Sequence, residues 1–138
     1  MNPVLKNILA FIVGAIVGSI VNGALISISG SVIPPPEGVD VNNPESIKAS
    51  IHLYESKHFI FPFLAHALGT FVGAVTAYLL AATAKMKIAI GIGVLFLLGG
   101  IAACFMIPAP TWFIALDLIV AYIPMGYLGG KVGGMLKK

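Results

Sequence analysis

Four long apolar stretches constrain this chain more than any other feature of its sequence. They cover residues of about 5–28, 59–83, 88–107 and 111–135. Each is near the ~20 residues that an α-helix needs to cross the hydrocarbon core of a bilayer. Because 59% of the 138 residues are hydrophobic and only 9% are charged, the chain has too little polar surface for a water-soluble domain. The sequence therefore predicts an all-α integral membrane protein, with residues 1–138 forming a single four-helix transmembrane bundle.

The lysines predict the orientation of these helices. Six of them lie at one end of the proposed bundle: Lys6, Lys85, Lys87, Lys131, Lys137 and Lys138. The opposite end receives the polar segment 31–58, which holds four of the five acidic residues. Since lysine-rich ends stay in the cytoplasm, both termini are expected to be cytoplasmic. The first apolar stretch is too long for a secretory signal, and we expect it to remain as an uncleaved helix.

Residues 31–58 form the only sizeable polar segment. Its three consecutive prolines, Pro34–Pro36, predict an extended path. Asn43 can cap a helix that follows it, and Ile47 and Ile51 then recur at helical spacing. We therefore expect a short amphipathic helix lying on the outer surface of the membrane.

Small residues recur four positions apart in two of the stretches. Gly14 and Gly18 form G-x-x-x-G in the first, and Gly69 and Gly73 repeat it in the second. This spacing lets helix backbones approach closely inside a bilayer. We expect these glycines to lie in helix–helix contacts and to support a homo-oligomer.

Three polar side chains are expected at one depth in the membrane. With a rise of ~1.5 Å per residue, Asn22 lies roughly 9 Å from the outer end of the first helix and His66 about 10 Å from the start of the second. Asp117, the only carboxyl group within a predicted span, lies about 8 Å beyond Trp112 in the fourth. A charge at this depth is costly unless it is paired, so we expect His66 to meet Asp117. Asn22 and Thr70 are expected to complete the hydrogen bonds of this pocket.

Two interpretations of this polar cluster remain open. The cluster can simply fasten three helices together, since hydrogen bonds between membrane helices contribute roughly 0.6–2 kcal/mol each. Alternatively it forms a site for a proton, a cation or a polar ligand, because histidine changes its charge near neutral pH.

A second set of polar residues precedes the second span. His52, Glu55 and His58 are three residues apart, so neighbouring members could share one ion on a helix. All three cannot converge, because six residues turn a helix by about 240°, which leaves His58 roughly 120° from His52. A metal site would need Glu55 or His58 to fold toward His66, and a solvated rim at the membrane surface is the alternative. The metal candidates are His52, Glu55, His58 and His66, and the sequence identifies no cofactor.

Three stretches carry a resemblance to a known family. "IPPPEGVD", "KHFIFPFLAHALGT" and "DLIVAYIPMGYLGGK" resemble parts of small four-helix bacterial inner-membrane proteins, a family without an assigned function. The resemblance implies a bacterial source and the inner membrane, and it implies nothing about a substrate.

Three functions are compatible with these patterns. The first is a non-enzymatic protein that binds or transports an ion, a proton or a small ligand through the pocket at His66 and Asp117. The second is a membrane enzyme or accessory subunit that uses His52, Glu55, His58 and His66 on a metal or a lipid-derived substrate. The third is a structural subunit without a ligand. Nucleic acid is not an expected partner, since the chain has no arginine and its lysines form no stripe.

Overall fold

The computed structural model describes residues 1–138 as an all-helical chain without strands. Its six α-helices are α1 (Pro3–Val32), α2 (Pro44–Ser50), α3 (Ile60–Leu80), α4 (Lys85–Met106), α5 (Thr111–Val120) and α6 (Ile123–Leu136). Four helical units are long and apolar enough to cross a membrane, and they are Pro3–Val32, Ser56–Leu80, Lys85–Met106 and Thr111–Leu136. The predicted all-α class is confirmed, and its four long helices fit a membrane protein.

The fourth unit consists of two helices separated by a break. α5 ends at Val120 and α6 begins at Ile123, with Tyr122 at φ −115° and ψ −80° between them. Pro124 explains the break, because it lacks an N–H and its ring would clash with the carbonyl of Val120 in a continuous helix. The glycine-rich stretch that follows is helical, so within the fourth unit the backbone is irregular only at the break before Pro124.

α3 lies at the centre of the bundle and packs on α1, α4 and α6. A Cβ atom added to Gly18 would lie 2.6 Å from the carbonyl oxygen of Gly69, and one added to Gly73 would lie 2.7 Å from that of Gly14. A side chain has no room at such distances, so these glycines let the α1 and α3 backbones touch. Because the four glycines form the contact between α1 and α3 of one chain, they are not free to contact a second copy. The predicted homo-oligomer would have to use another surface.

Both termini and the connection between α3 and α4 lie at one end of the bundle. The side chain of Asn7 accepts hydrogen bonds from the backbone N–H groups of Ala82 and Thr83, at 2.9 and 3.1 Å. The Lys137 ammonium donates to the carbonyl oxygen of Leu79 at 3.0 Å, near the end of α3. We call this the lysine-rich end, since six of the eight lysines belong to the helix ends that meet here.

The segment before α3 folds differently from the expected single amphipathic helix. The Asn43 side chain caps α2 by accepting from the Glu45 N–H at 3.0 Å, but α2 ends at Ser50. Two short 3-10 turns follow, Ile51–Leu53 and Ser56–Phe59. Extended backbone at Tyr54 and Glu55 separates them, and this break prevents one helical face from continuing to residue 58.

Candidate functional site

A cavity of about 350 Å³ lies at the end of the bundle opposite the lysine-rich end. The ends of α1, α3, α4 and α5 form its walls, and the segment from Pro35 to His58 covers it. Its lining is mainly hydrophobic and includes Ile26, Phe61, Ile107 and Ile114. The volume is at the lower end of the ~300–1,000 Å³ typical of small-molecule pockets.

The cover of this cavity includes Tyr54, which is partly buried among aromatic neighbours. Its ring lies 5.8 Å from that of Phe59 and 5.3 Å from that of His58. Burial raises the pKa of the Tyr54 phenol above its ordinary value of 10.0, because the charged phenolate loses solvation there. Tyr54 therefore contributes a neutral hydroxyl to the cover.

His66 and Asp117 lie in direct contact at the base of the cavity. Nδ1 of His66, on α3, lies 2.8 and 3.0 Å from the two carboxyl oxygens of Asp117, on α5. The Asp117 side chain is only 7% exposed and the His66 side chain 27%. The contact between His66 and Asp117 that was predicted from their similar depth in the membrane is thus present in the structure. Both residues line the cavity.

Tyr122 is a third member of this cluster that the sequence analysis missed. Its hydroxyl donates to Oδ2 of Asp117 at 3.0 Å, and its ring stacks on His66 with centroids 5.7 Å apart. Gly100 makes room for it, since a Cβ there would lie 2.6 Å from the Tyr122 ring carbon Cζ. Tyr122 is five residues after Asp117, and a continuous helix would turn it about 140° away. The break before Pro124 brings it back, so helical spacing alone gave no signal.

Asn22 and Thr70 were predicted to complete the hydrogen bonds of the pair, and neither does so. The Thr70 hydroxyl donates to the backbone oxygen of His66 at 2.7 Å, one turn back in its own helix. Asn22 instead packs against Gly69, and its buried Oδ1 has no hydrogen-bond partner. Neither side chain lines the cavity, so a similar depth in the membrane did not bring them to Asp117.

The rim residues do not assemble as a metal site. His58 accepts from the backbone N–H of Glu55 at 2.8 Å through Nδ1, and its Nε2 lies 3.1 Å from the carbonyl oxygen of Pro34. Both ring nitrogens are therefore used to hold the cover in place, with the proton on Nε2. No group of three or more His, Cys, Asp or Glu side chains is placed to hold one metal ion. The convergence of His52, Glu55, His58 and His66 that a metal site would need is not found, because the His58 ring turns to the backbone of Glu55 and Pro34 rather than to His66.

The bundle is closely packed between the pair and the lysine-rich end. Ala74, Ala77, Ala89 and Ile92 form a core there and are 0% exposed. On the other side of α3, the glycine contacts with α1 leave no room between the two backbones. The cavity therefore ends at His66 and Asp117.

Comparison of the chain with known protein families, with curated proteins and with solved structures finds no match. A fold alone would not define a function in any case, since function depends on the chemistry of a site. A functional proposal for this chain therefore rests on the geometry of the His66–Asp117 pair and of the cavity above it.

Proposed function

We propose that this chain is an integral membrane protein that binds a small ligand in the cavity above His66 and Asp117. The observation that carries the proposal is the position of this pair, joined at 2.8 Å, at the base of a mainly hydrophobic cavity of about 350 Å³. Apolar walls with a few converging polar groups are the usual composition of small-molecule sites. The walls would bury the body of the ligand, and the pair would fix its polar group.

We further propose that the cavity lies in the outer half of a bacterial inner membrane. The lysine-rich end carries both termini, and the positive-inside rule places that end in the cytoplasm. Trp112 and Phe113 on α5 then lie near the outer boundary, where aromatic rings concentrate. The cover formed by residues 35–58 would face the extracytoplasmic side.

Ligand binding is better supported than conduction through the bundle. A pore needs a continuous polar path, and the inner half of the bundle is filled by the core at Ala74, Ala77, Ala89 and Ile92. An enzyme with a bound metal also has less support, because the rim residues and His66 do not converge. A binding site that ends at the pair agrees with both observations.

A purely structural role for the pair explains less of the geometry. His66 and Asp117 do join α3 to α5, and such a contact stabilises a bundle. Fastening two helices, however, requires no cavity beside the contact, and a void forfeits the dispersion contacts of the side chains that line it. The retained cavity therefore supports a ligand site.

A cavity-filling variant with a matched control tests this proposal. Gly30 lines the cavity, and a Cβ added there meets no atom within 4 Å, so Gly30→Phe places a large side chain at the cavity wall without a clash at its Cβ. Gly23 lies on the same helix with equally open surroundings but outside the cavity. We expect mass spectrometry of purified protein to detect a bound small molecule in the wild type and in Gly23→Phe, and none in Gly30→Phe. Equal amounts in all three proteins would contradict the proposal.

A further inference from the structure

We propose that the ligand of this cavity is a mainly apolar, uncharged molecule with a carbonyl oxygen, which accepts a hydrogen bond from Nε2–H of His66. This inference rests on the proposed function, since it assigns the ligand chemistry of the same site. It follows from which ring nitrogen is free and from where the proton resides.

Nε2 is the free ring nitrogen of His66, a residue that lines the cavity. Nδ1 is occupied by the carboxyl group of Asp117 at 2.8 and 3.0 Å, whereas Nε2 has no hydrogen-bond partner within the chain. The Asp117 carboxyl group also accepts from the Tyr122 hydroxyl and is nearly buried. A ligand in the cavity therefore meets the imidazole before it meets the carboxyl group.

The other polar groups of the lining do not change the charge at the base of the cavity. Tyr54 and Cys104 also line it, and both are uncharged. Both ring nitrogens of His58 hold the cover, and the Ser29 hydroxyl donates to the carbonyl oxygen of Ile26 at 2.6 Å. Lys57 has a side chain that is 58% exposed and lies 3.8 Å from Glu55, so it does not neutralise Asp117. The charge of the base is therefore set by the His66–Asp117 pair alone.

Counting protons on this pair shows what Nε2 offers. A buried net charge is costly in an apolar environment, so the pair is most stable when its total charge is zero. In the ion pair, both ring nitrogens of His66 carry hydrogen. In the neutral form, the Asp117 carboxyl donates to Nδ1, which leaves the ring hydrogen on Nε2. Both forms of zero net charge therefore present an N–H donor to the cavity.

This donor selects the polar group of the ligand. An apolar molecule without an acceptor would leave the Nε2–H without a partner, and a buried unpaired donor is unfavourable. A carboxylate would accept the bond but would add a net negative charge to the base. An uncharged carbonyl oxygen satisfies the donor without that charge.

Three nine-carbon probes separate these cases: 2-nonanone, nonane and nonanoate. We expect titration calorimetry of the protein in lipid nanodiscs to give a roughly three- to tenfold tighter dissociation constant for 2-nonanone than for nonane, which is the size of one net hydrogen bond. The infrared band of the bound ketone carbonyl should shift to lower frequency. Tighter binding of nonanoate than of 2-nonanone would overturn the uncharged assignment.

Variants then assign the effect to His66. His66→Phe combined with Asp117→Leu removes the donor and leaves neither a buried charge nor an amide donor at the base of the cavity. The Tyr122 hydroxyl loses its acceptor in this variant, but Tyr122 does not line the cavity. In this double variant the preference for the ketone and the infrared shift should both disappear, while nonane still binds. If the ketone never exceeds nonane in the wild type, yet Gly30→Phe abolishes binding of both and Gly23→Phe does not, the carbonyl inference is wrong and the binding site stands. If Gly30→Phe changes neither, the binding site itself is wrong.

Discussion

Replacing Asp117 by leucine or by asparagine separates the hydrogen bonding of this side chain from its charge. Leucine has a similar size and no acceptor, so Nδ1 of His66 and the Tyr122 hydroxyl both lose their partner. Asparagine retains both contacts, because its NH₂ group can donate to Nδ1 while its oxygen accepts from Tyr122. The two variants therefore differ in two hydrogen bonds and share the loss of the carboxyl group.

The expected difference follows from the number of bonds. The bond of Asp117 to His66 joins two membrane helices and contributes roughly 0.6–2 kcal/mol, and the bond to Tyr122 within the fourth unit contributes about 0.5–1.5 kcal/mol. Asp117→Leu should therefore lower the free energy of unfolding by about 1–4 kcal/mol. Asp117→Asn should stay within about 1 kcal/mol of the wild type, since both bonds remain.

The single tryptophan provides the assay. Trp112 lies on α5 with Asp117, and its ring centroid is 5.7 Å from that of Phe59 at the start of the second span. Its fluorescence during unfolding in mixed micelles therefore reports the separation of α5 from α3. Equal stability of Asp117→Leu and the wild type would refute the reasoning, as would an asparagine variant that is destabilised as much as the leucine variant.

Three further predictions concern packing, topology and Tyr122. Gly18→Ala should lower the free energy of unfolding by about 1–3 kcal/mol, because its Cβ would lie 2.6 Å from a backbone oxygen of α3. Gly99→Ala is the control and should not be destabilised, because a Cβ there meets nothing within 4 Å. A cysteine placed within residues 37–45 should react with an impermeant reagent added outside the cell, and labelling only after lysis would reverse the proposed topology. Tyr122→Phe should lower the free energy of unfolding by about 0.5–1.5 kcal/mol, the contribution of its one hydrogen bond to Asp117, and a larger loss in thermal unfolding would show that the hydroxyl has another partner.

The helices and the central pair could be predicted from particular sequence features. The length of the apolar stretches indicated four helical units, since few other structures satisfy the backbone hydrogen bonds of ~20 apolar residues in lipid. His66 and Asp117 could be matched because each is an ionisable group in a predicted span, at similar depth. Because an unpaired ionisable group is unfavourable in lipid, a contact between the two was the simplest arrangement.

Other features depend on rotation about the helix axis, which depth does not determine. Asn22 was assigned to the pair by its depth, but it faces Gly69. The hydroxyl of Tyr122 donates to Asp117 instead. Tyr122 reaches the pair only because the break before Pro124 changes the direction of its side chain. The sequence indicates that a proline can break a helix, but not which side chain the break redirects.

The cavity could not be predicted from any local pattern. It lies between four helix ends and a cover that is held in place by His58, whose ring joins Glu55 to Pro34. These residues are up to 24 positions apart, and no spacing rule relates them. The same contacts hold His58 away from His66, where the predicted metal site needed it.

A high-resolution density map of the protein in lipid nanodiscs tests the binding site most directly. We expect density for a small molecule in the cavity, with an oxygen about 3 Å from Nε2 of His66, as hydrogen bonding requires. Nδ1 of His66 should remain bonded to Asp117, as it is at 2.8 Å in this structure. A cavity filled by its own side chains, or a His66 and Asp117 that lie more than about 8 Å apart with nothing between them, would contradict the account.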